Sequence, residues 1–301
     1  MNYKRILKTG VLAVVATIAF ALFAYRAAEW SKGLNSEFIV LGQSGGPGGG
    51  TGGGTGTIAA TTKIIPQVAV GSFDAGTKYA TIIQIVNTGT AAIAVTGNFY
   101  KQDGSTSSLT FSTNLAATPT FTGTLTSASL AAGQVLVISG GTTTTNTPAT
   151  GSLAWAKITT TGNVAITTFF ELRATGTDGL YSRVGVAASP MDLSKFVIPR
   201  VREVAVGLDV GFALVNTGSA AATLTATLKD ANGTTIATKV LPMAAGKHEV
   251  AFANEFFALT SESSARQYHY INFESSSASF AAIAVAFEGG TQTSFPVERL
   301  Q

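Results

Sequence analysis

Residues 82–92 read IIQIVNTGTAA and residues 212–221 read FALVNTGSAA. Both times Val-Asn-Thr-Gly closes an apolar run, and both times small residues follow. Four residues recur easily by chance, so the flanks decide what the repetition means. Upstream, Ile65-Pro66 matches Ile198-Pro199, each just ahead of a Val-rich run. Downstream, Asp103-Gly104 matches Asn232-Gly233, and both are tight-turn dipeptides of the kind that separates strands. Further on, SLAAGQVLV around Gly133 corresponds to PMAAGKHEV around Gly246. Last, AWAKITTTGNVAITTFFE corresponds to HYINFESSSASFAAIAVAFE, with Phe170-Glu171 set against Phe287-Glu288. The sequence therefore predicts two copies of one unit of roughly 110 to 130 residues that differ mainly in loop length.

Within each copy, short runs of Val, Ile, Thr and Phe alternate with polar residues. Gly, Asn, Asp and Pro interrupt them about every 8 to 12 residues, the pattern of an antiparallel sandwich. Composition agrees: charged residues are only 12% of 301 and no long Leu/Glu/Lys/Arg helical pattern exists. The expected fold is all-β, with one sandwich over residues 58–190 and a second over 191–301. Asn-Thr-Gly is expected to be a polar turn whose glycine adopts positive φ, ending a buried strand. The one helix-like interruption is Ala253–Leu259, where Phe256 and Leu259 would share a face and plug the end of the second sandwich.

The succession of Ile-Pro, a Val-rich strand, Ile-Val-Asn-Thr-Gly, Asn-Gly or Asp-Gly, Ala-Ala-Gly and a Trp-Ala-Lys strand resembles uncharacterised bacterial secreted proteins built from tandem immunoglobulin-like β-sandwiches. The resemblance runs from Ile64 to Val297. It rests on turns and strands, so it implies immunoglobulin-like sandwiches and supplies no catalytic residues.

Ahead of the sandwiches, MNYKRILKTG carries Lys4, Arg5 and Lys8, and the run from Val11 to Tyr25 is uncharged. A basic segment followed by an apolar one reads as an export signal, and Ala19-Phe20-Ala21 offers small residues for cleavage. The run is shorter than the roughly 20 residues of a straight transmembrane helix. Snorkelling by Arg26 would stretch it into a retained anchor. The leader also resembles type IV prepilin processing sites, with Gly10 before the apolar helix, although Val15 stands where that family carries glutamate. Residues 1–30 are thus expected to be a signal peptide or a hydrophobic helical anchor. Residues 31–57 include GQSGGPGGGTGGGTGT, a flexible glycine-rich linker.

Charge and cysteine content exclude several classes. Three of the 19 basic residues lie in the leader, which leaves 16 against 16 acidic ones. A neutral body with no basic stripe offers nothing to a phosphate backbone, so no nucleic-acid partner is expected. The absence of cysteine removes disulfides, thiolate metal sites and cysteine nucleophiles.

The tempting residues each have a plainer explanation. Gly42-Gln43-Ser44-Gly45-Gly46 fits G-x-S-x-G, but that motif needs a strained strand-to-helix elbow and sits here in a glycine run. His248 and His269 lie in separate strands with no further ligands at metal spacing, and read as surface or half-buried strand positions. Asp230-Ala231-Asn232-Gly233 starts like a calcium loop yet continues Thr-Thr-Ile-Ala without the later oxygen ligands, so a hairpin turn is expected. Glu171 and Glu288 are expected to end equivalent strands, with Glu171 paired to Arg173 at the surface, rather than to form a glycosidase pair. Gly140–Gly151, GGTTTTNTPATG, reads as an exposed loop. Trp155 and Tyr270 share one repeat position; Trp155 would sit at a partly exposed rim, and Tyr268 with Tyr270 would present one face. These three are the candidate glycan or interface contacts, with packing the favoured role for Trp155.

No catalytic, cofactor-binding or metal-binding residue is therefore assigned, and no cofactor is expected. The expected protein is an exported, non-enzymatic structural or adhesive component of the bacterial surface or extracellular space, in sharper form a filament or surface-layer subunit. It would act through protein partners or self-association, with the membrane touched only through residues 1–30 if they are retained. The alternative is a carbohydrate-binding module using Trp155 or the Tyr268/Tyr270 face, and a hydrolase is third.

Overall fold

The computed structural model describes residues 60–300 apart from 73–75, 143–146, 149, 178, 190–191, 260–263 and 278. The leader, the glycine-rich linker with its Gly42–Gly46 motif, and part of the threonine-rich loop therefore lie outside the described residues.

The first half of the chain supplies ten strands: β1 (Thr61–Ser72), β2 (Thr77–Asn87), β3 (Ile93–Lys101), β4 (Thr110–Thr113), β5 (Thr120–Thr122), β6 (Thr124–Leu130), β7 (Val135–Gly140), β8 (Ser152–Thr160), β9 (Val164–Ala174) and β10 (Leu180–Ala187). One antiparallel sheet has the order β6-β3-β8-β1; a second runs β5-β4-β7-β2-β9-β10. The end of β1 crosses over at Gly71↔Tyr79 and Ser72↔Lys78 and joins the two. Between them lies one apolar core, with Ile65, Val68 and Phe99 from the first sheet against Ile83, Ile85 and Leu136 from the second.

The second half repeats this topology. Its strands are β11 (Lys195–Arg202), β12 (Asp209–Asn216), β13 (Ala222–Asp230), β14 (Thr235–Met243), β15 (His248–Phe252), β16 (Gln267–Ser275), β17 (Phe280–Glu288), β18 (Thr291–Phe295) and β19 (Glu298–Arg299). The sheets run β14-β13-β16-β11-β19 and β15-β12-β17-β18. Strand for strand, β14-β13-β16-β11 stands where β6-β3-β8-β1 stands, and β15-β12-β17-β18 where β7-β2-β9-β10 stands. The additions are β4 and β5 in the first half and β19 in the second. A second core, with Phe196, Ile198 and Phe273 against Val210, Phe212 and Phe280, fills this pair of sheets. Helix α1 (Ala253–Phe256) is a single turn that buries Ala253 and Phe256, and the Phe256 ring meets Phe212 edge-on at 5.1 Å. Leu259 packs partly buried against the same core.

The Val-Asn-Thr-Gly stretch has a different physical role from the one its glycine suggests. Neither Gly89 nor Gly218 is in the left-handed region; that conformation belongs to Gly133 and Gly246, φ 72° and 71°, in the Ala-Ala-Gly turns. The working group is the asparagine. Asn87 Nδ2 donates to the carbonyls of Ala91, Leu130 and Ala131, and its Oδ1 accepts from Gly89 N. Asn216 Nδ2 donates to Ala220, Met243 and Ala244, and its Oδ1 accepts from Gly218 N. Both side chains are buried. Each amide therefore ties the end of one sheet's central strand to the edge strand of the facing sheet. In each turn one of the carbonyls it satisfies, that of Leu130 or Met243, is buried.

Strand pairing also corrects one register. Asn87 pairs with Val164 and Asn216 with Phe280, so Glu171 is the counterpart of Phe287, not of Glu288. The loop ahead of β17 is one residue longer than that ahead of β9. The two glutamates do not occupy the same place.

Candidate functional site

The seam between the halves is the most specialised region of the molecule. β12 is buried at all eight of its residues, whereas its counterpart β2 alternates buried and half-buried. The reason is that the outer face of the β15-β12-β17-β18 sheet lies on the first half. Val215 and Ala281 pack with Ile64, Trp155 and Tyr100. Ala213, Ile283 and Val285 pack under Phe170, Val184 and Val186 of β9 and β10. The middle contact is thus built from both sheets of the first half and is apolar at both of these clusters.

Trp155 anchors this seam. Its two neighbours Ala154 and Ala156 point into the first core, so alternation sends the indole to the opposite side, toward the second half. There it stacks on Tyr100 at 4.3 Å, and Nε1 donates to the carbonyl of Gly246 at 3.0 Å. With 5% of its surface exposed, the indole is not a rim residue and has no open face for a sugar. The Ala-Ala-Gly turn of the second half meets the hairpin tip of the first so closely that Gly104 and Gly246 touch backbone to backbone. A Cβ on Gly104 would lie 3.1 Å from the Ala245 carbonyl and 3.2 Å from Gly246 Cα. His248 N donates to the Gln102 carbonyl at 2.9 Å, and Ala282 N to Ser189 Oγ at 3.0 Å.

Tyr268 and Tyr270 are placed elsewhere, on the outer face of the β14-β13-β16-β11-β19 sheet. Tyr268 is exposed, Tyr270 half-buried, and they sit opposite Val201 and Pro199 on β11. The structure does not bring them to Trp155.

Two buried ionic clusters brace the two halves, one in each. Glu171, wholly buried, accepts from Arg173 Nε at 2.7 Å and Arg183 Nε at 2.6 Å, so it is an internal clamp between β9 and β10 rather than an exposed pair. Asp209 accepts from Arg200 Nε at 3.0 Å, and Arg202 Nε stands 3.9 Å from its other oxygen. Arg200 Nη1 also lies 3.1 Å from His269 Nδ1. Burial pushes the Asp209 carboxyl above the usual carboxylate range, and the two guanidiniums pull it back. Asp230 Oδ1 accepts from Asn232 N and Thr234 N, which makes its loop a hairpin turn.

His248 is buried too, not the surface or half-buried position its strand suggests, and neither ring nitrogen has a hydrogen-bond partner. Removal from water holds its pKa down to about 3, and the nearby Pro66 carbonyl, short of hydrogen-bond geometry, raises it only slightly. The unfolded imidazole binds a proton below its ordinary value of 6.5 while the folded one does not. Stability is therefore undiminished above pH 6.5 and falls as pH drops toward 3, with a slope approaching about 1.4 kcal/mol per pH unit. In chemical denaturation between pH 7 and 4.5, His248→Leu is expected to flatten that slope; an unchanged slope would show that the folded ring takes up its proton as readily as the unfolded one.

A cavity of about 50 Å³ opens along the seam, lined mainly by apolar side chains such as Phe170, Ile283 and Phe287 with Gln67 and Gln292. Oε1 of both glutamines lacks a protein partner. Its size suits a few water molecules rather than a metabolite. Among the described residues, no group of three or more His, Cys, Asp or Glu could hold a metal ion. The residues brought together at the seam can lock one sheet onto another; they do not form a nucleophile, a base and an oxyanion donor.

No protein family and no curated protein matches the chain. Among solved structures, the pilus backbone RrgB from Streptococcus pneumoniae aligns with 80% of this chain and 98% of its own, at 8% identity and a TM-score of 0.13. A likeness that small carries no argument about fold or role.

Proposed function

We propose that this chain is an exported, non-enzymatic structural protein of the bacterial surface or extracellular space, built from two immunoglobulin-like sandwiches and working through protein contacts. One observation carries the reading. The most elaborate constellation of side chains, from Trp155 and Tyr100 to Gly246 and Val215, serves to hold sheet on sheet, and the buried carboxylates Glu171 and Asp209 are held in guanidinium clamps. In this reading residues 11–25 direct export, and the glycine tract sets the sandwiches at a distance from whatever the N-terminus meets.

The test is antibody raised against the sandwiches and applied to intact host cells and their medium. Labelling without permeabilisation, or recovery from the medium, is the expected result. Confinement to the cytoplasm would overturn the proposal, as would robust turnover in a broad hydrolase screen.

A further inference from the structure

The contact between the halves lays the outer face of β15-β12-β17-β18 on two parts of the first half: the outer face of β6-β3-β8-β1 around Ile64 and Trp155, and the core-facing sides of β9 and β10 at Phe170, Val184 and Val186. The first of these is the part whose counterpart matters here. Because the halves share one topology, the β6-β3-β8-β1 face and the β15-β12-β17-β18 face each have a counterpart that the internal contact leaves uncovered. The counterpart of the first is the outer face of β14-β13-β16-β11, where Tyr270 stands for Trp155 and Val197 for Ile64. The counterpart of the second is the outer face of β7-β2-β9-β10, where Val86 stands for Val215, Ala165 for Ala281 and Val135 for His248.

Their burial differs as position demands. Val215 and Ala281 are fully buried, while Val86 is half-buried and Ala165 exposed. Gly246 and Gly133 have the same turn and nearly the same φ, yet a Cβ on Gly246 would strike Gly104 at 3.1 Å and one on Gly133 would meet nothing within 4 Å. Gly233, the counterpart of Gly104, is likewise clear of any other turn, its nearest neighbour being Tyr270 Oη at 3.5 Å.

Among the described residues, both faces also carry apolar side chains beside their polar ones. Ile82, Val86 and Phe169 stand on one, and Val197, Tyr268 and Tyr270 on the other. A heterologous contact whose two surfaces are both free at the ends of a molecule does not close on itself; repeated, it propagates as an open stack.

We infer that a second copy of this chain docks head to tail, the Tyr268/Tyr270 face of one molecule lying on the Val86/Ala165 face of the next in the geometry of the internal seam. This deepens the structural role proposed above and rests on it. Lys229 replaces Tyr100 in the external version, so that contact is less apolar than the internal one and assembles reversibly.

The chain contains no cysteine, which makes cross-linking selective. Inside the molecule, His248 N bonds to the Gln102 carbonyl at 2.9 Å; the external counterparts are Val135 and Ala231. The full chain carrying both Val135→Cys and Ala231→Cys is expected to give a ladder of dimers, trimers and higher species on oxidation, resolved on a non-reducing gel. An equal mixture of the two single variants is expected to give dimers alone, containing one of each. Adding Ala165→Arg should abolish the ladder while the thermal midpoint stays within a few degrees.

A double variant that remains monomeric overturns the inference, and so do single variants that pair with themselves as readily as with each other. A ladder from a protein found only in the cytoplasm would sink the surface role and leave the head-to-tail contact standing. A surface protein with no ladder would do the reverse.

Discussion

Asn216→Ala is expected to cost about 3 kcal/mol of unfolding free energy, because it strands one buried carbonyl and several part-buried groups at once, and a buried group left unsatisfied is worth about 1–3 kcal/mol. The amide serves the carbonyls of Ala220, Met243 and Ala244, and its oxygen holds Gly218 N and accepts from Ser279 Oγ at 3.3 Å. Relaxation of the turn and entry of water keep the loss below the simple total. Asn216→Asp should be worse, since a carboxylate would face three carbonyl oxygens without a proton to give. Asn87→Ala should produce a loss of similar size in the first half, where the same three-carbonyl arrangement recurs. Denaturant unfolding of the full chain measures all three, and a loss under 1 kcal/mol in either alanine variant would show that the asparagine is dispensable to its turn.

The second large effect is at Arg200, a fully buried guanidinium. Arg200→Met removes the principal partner of Asp209, and leaving a buried carboxylate with a single guanidinium at 3.9 Å is expected to cost about 3–5 kcal/mol. Arg200→Met combined with Asp209→Leu should recover most of that loss, because a buried ion pair contributes little net stability over apolar residues of similar volume. Urea unfolding of the single and double variants separates the two expectations. If the double variant were no more stable than the single one, the pair would be contributing something that packing cannot replace.

The architecture was legible because it depends on local periodicity and on turn chemistry. Alternation around IIQIVNTG, the Asp-Gly and Asn-Gly turns and the Ala-Ala-Gly turns each reported a strand or its end, and all-β antiparallel sheets are what the chain forms. The purpose of Val-Asn-Thr-Gly is not legible locally, because glycine is the usual sign of positive φ. The decisive partner carbonyls lie as far as 43 residues from Asn87, beyond any local pattern.

The seam had left a trace in the sequence. FALV in β12 and FAAIAVAF in β17 are apolar at successive positions, the mark of strands covered on both faces. Against a background of alternating strands, that run identifies which sheet of which half is in the middle. Trp155 reads as a rim residue because Lys157 shares its face; only the arrival of Gly246 and Val215 from the other half shows that the face is covered at one end and open at the other. The clamps on Glu171 and Asp209 were hidden for a different reason. Arg173 stands two residues from Glu171 on β9, but Arg183 comes from β10, and Arg200 and Arg202 reach Asp209 from β11 in the facing sheet, so these partners are set by tertiary placement.

The claim on which everything else rests is that two copies of one sandwich are fixed by their asparagines and locked face to face at Trp155. Hydrogen exchange of side-chain N–H groups in a single set of NMR spectra tests it most directly. The account predicts that the Asn87 and Asn216 amides and the Trp155 indole N–H all exchange far more slowly than the amide of exposed Asn232. Exchange of the two asparagines at the Asn232 rate would contradict the turn anchors, and rapid exchange of the indole would contradict the stacked seam.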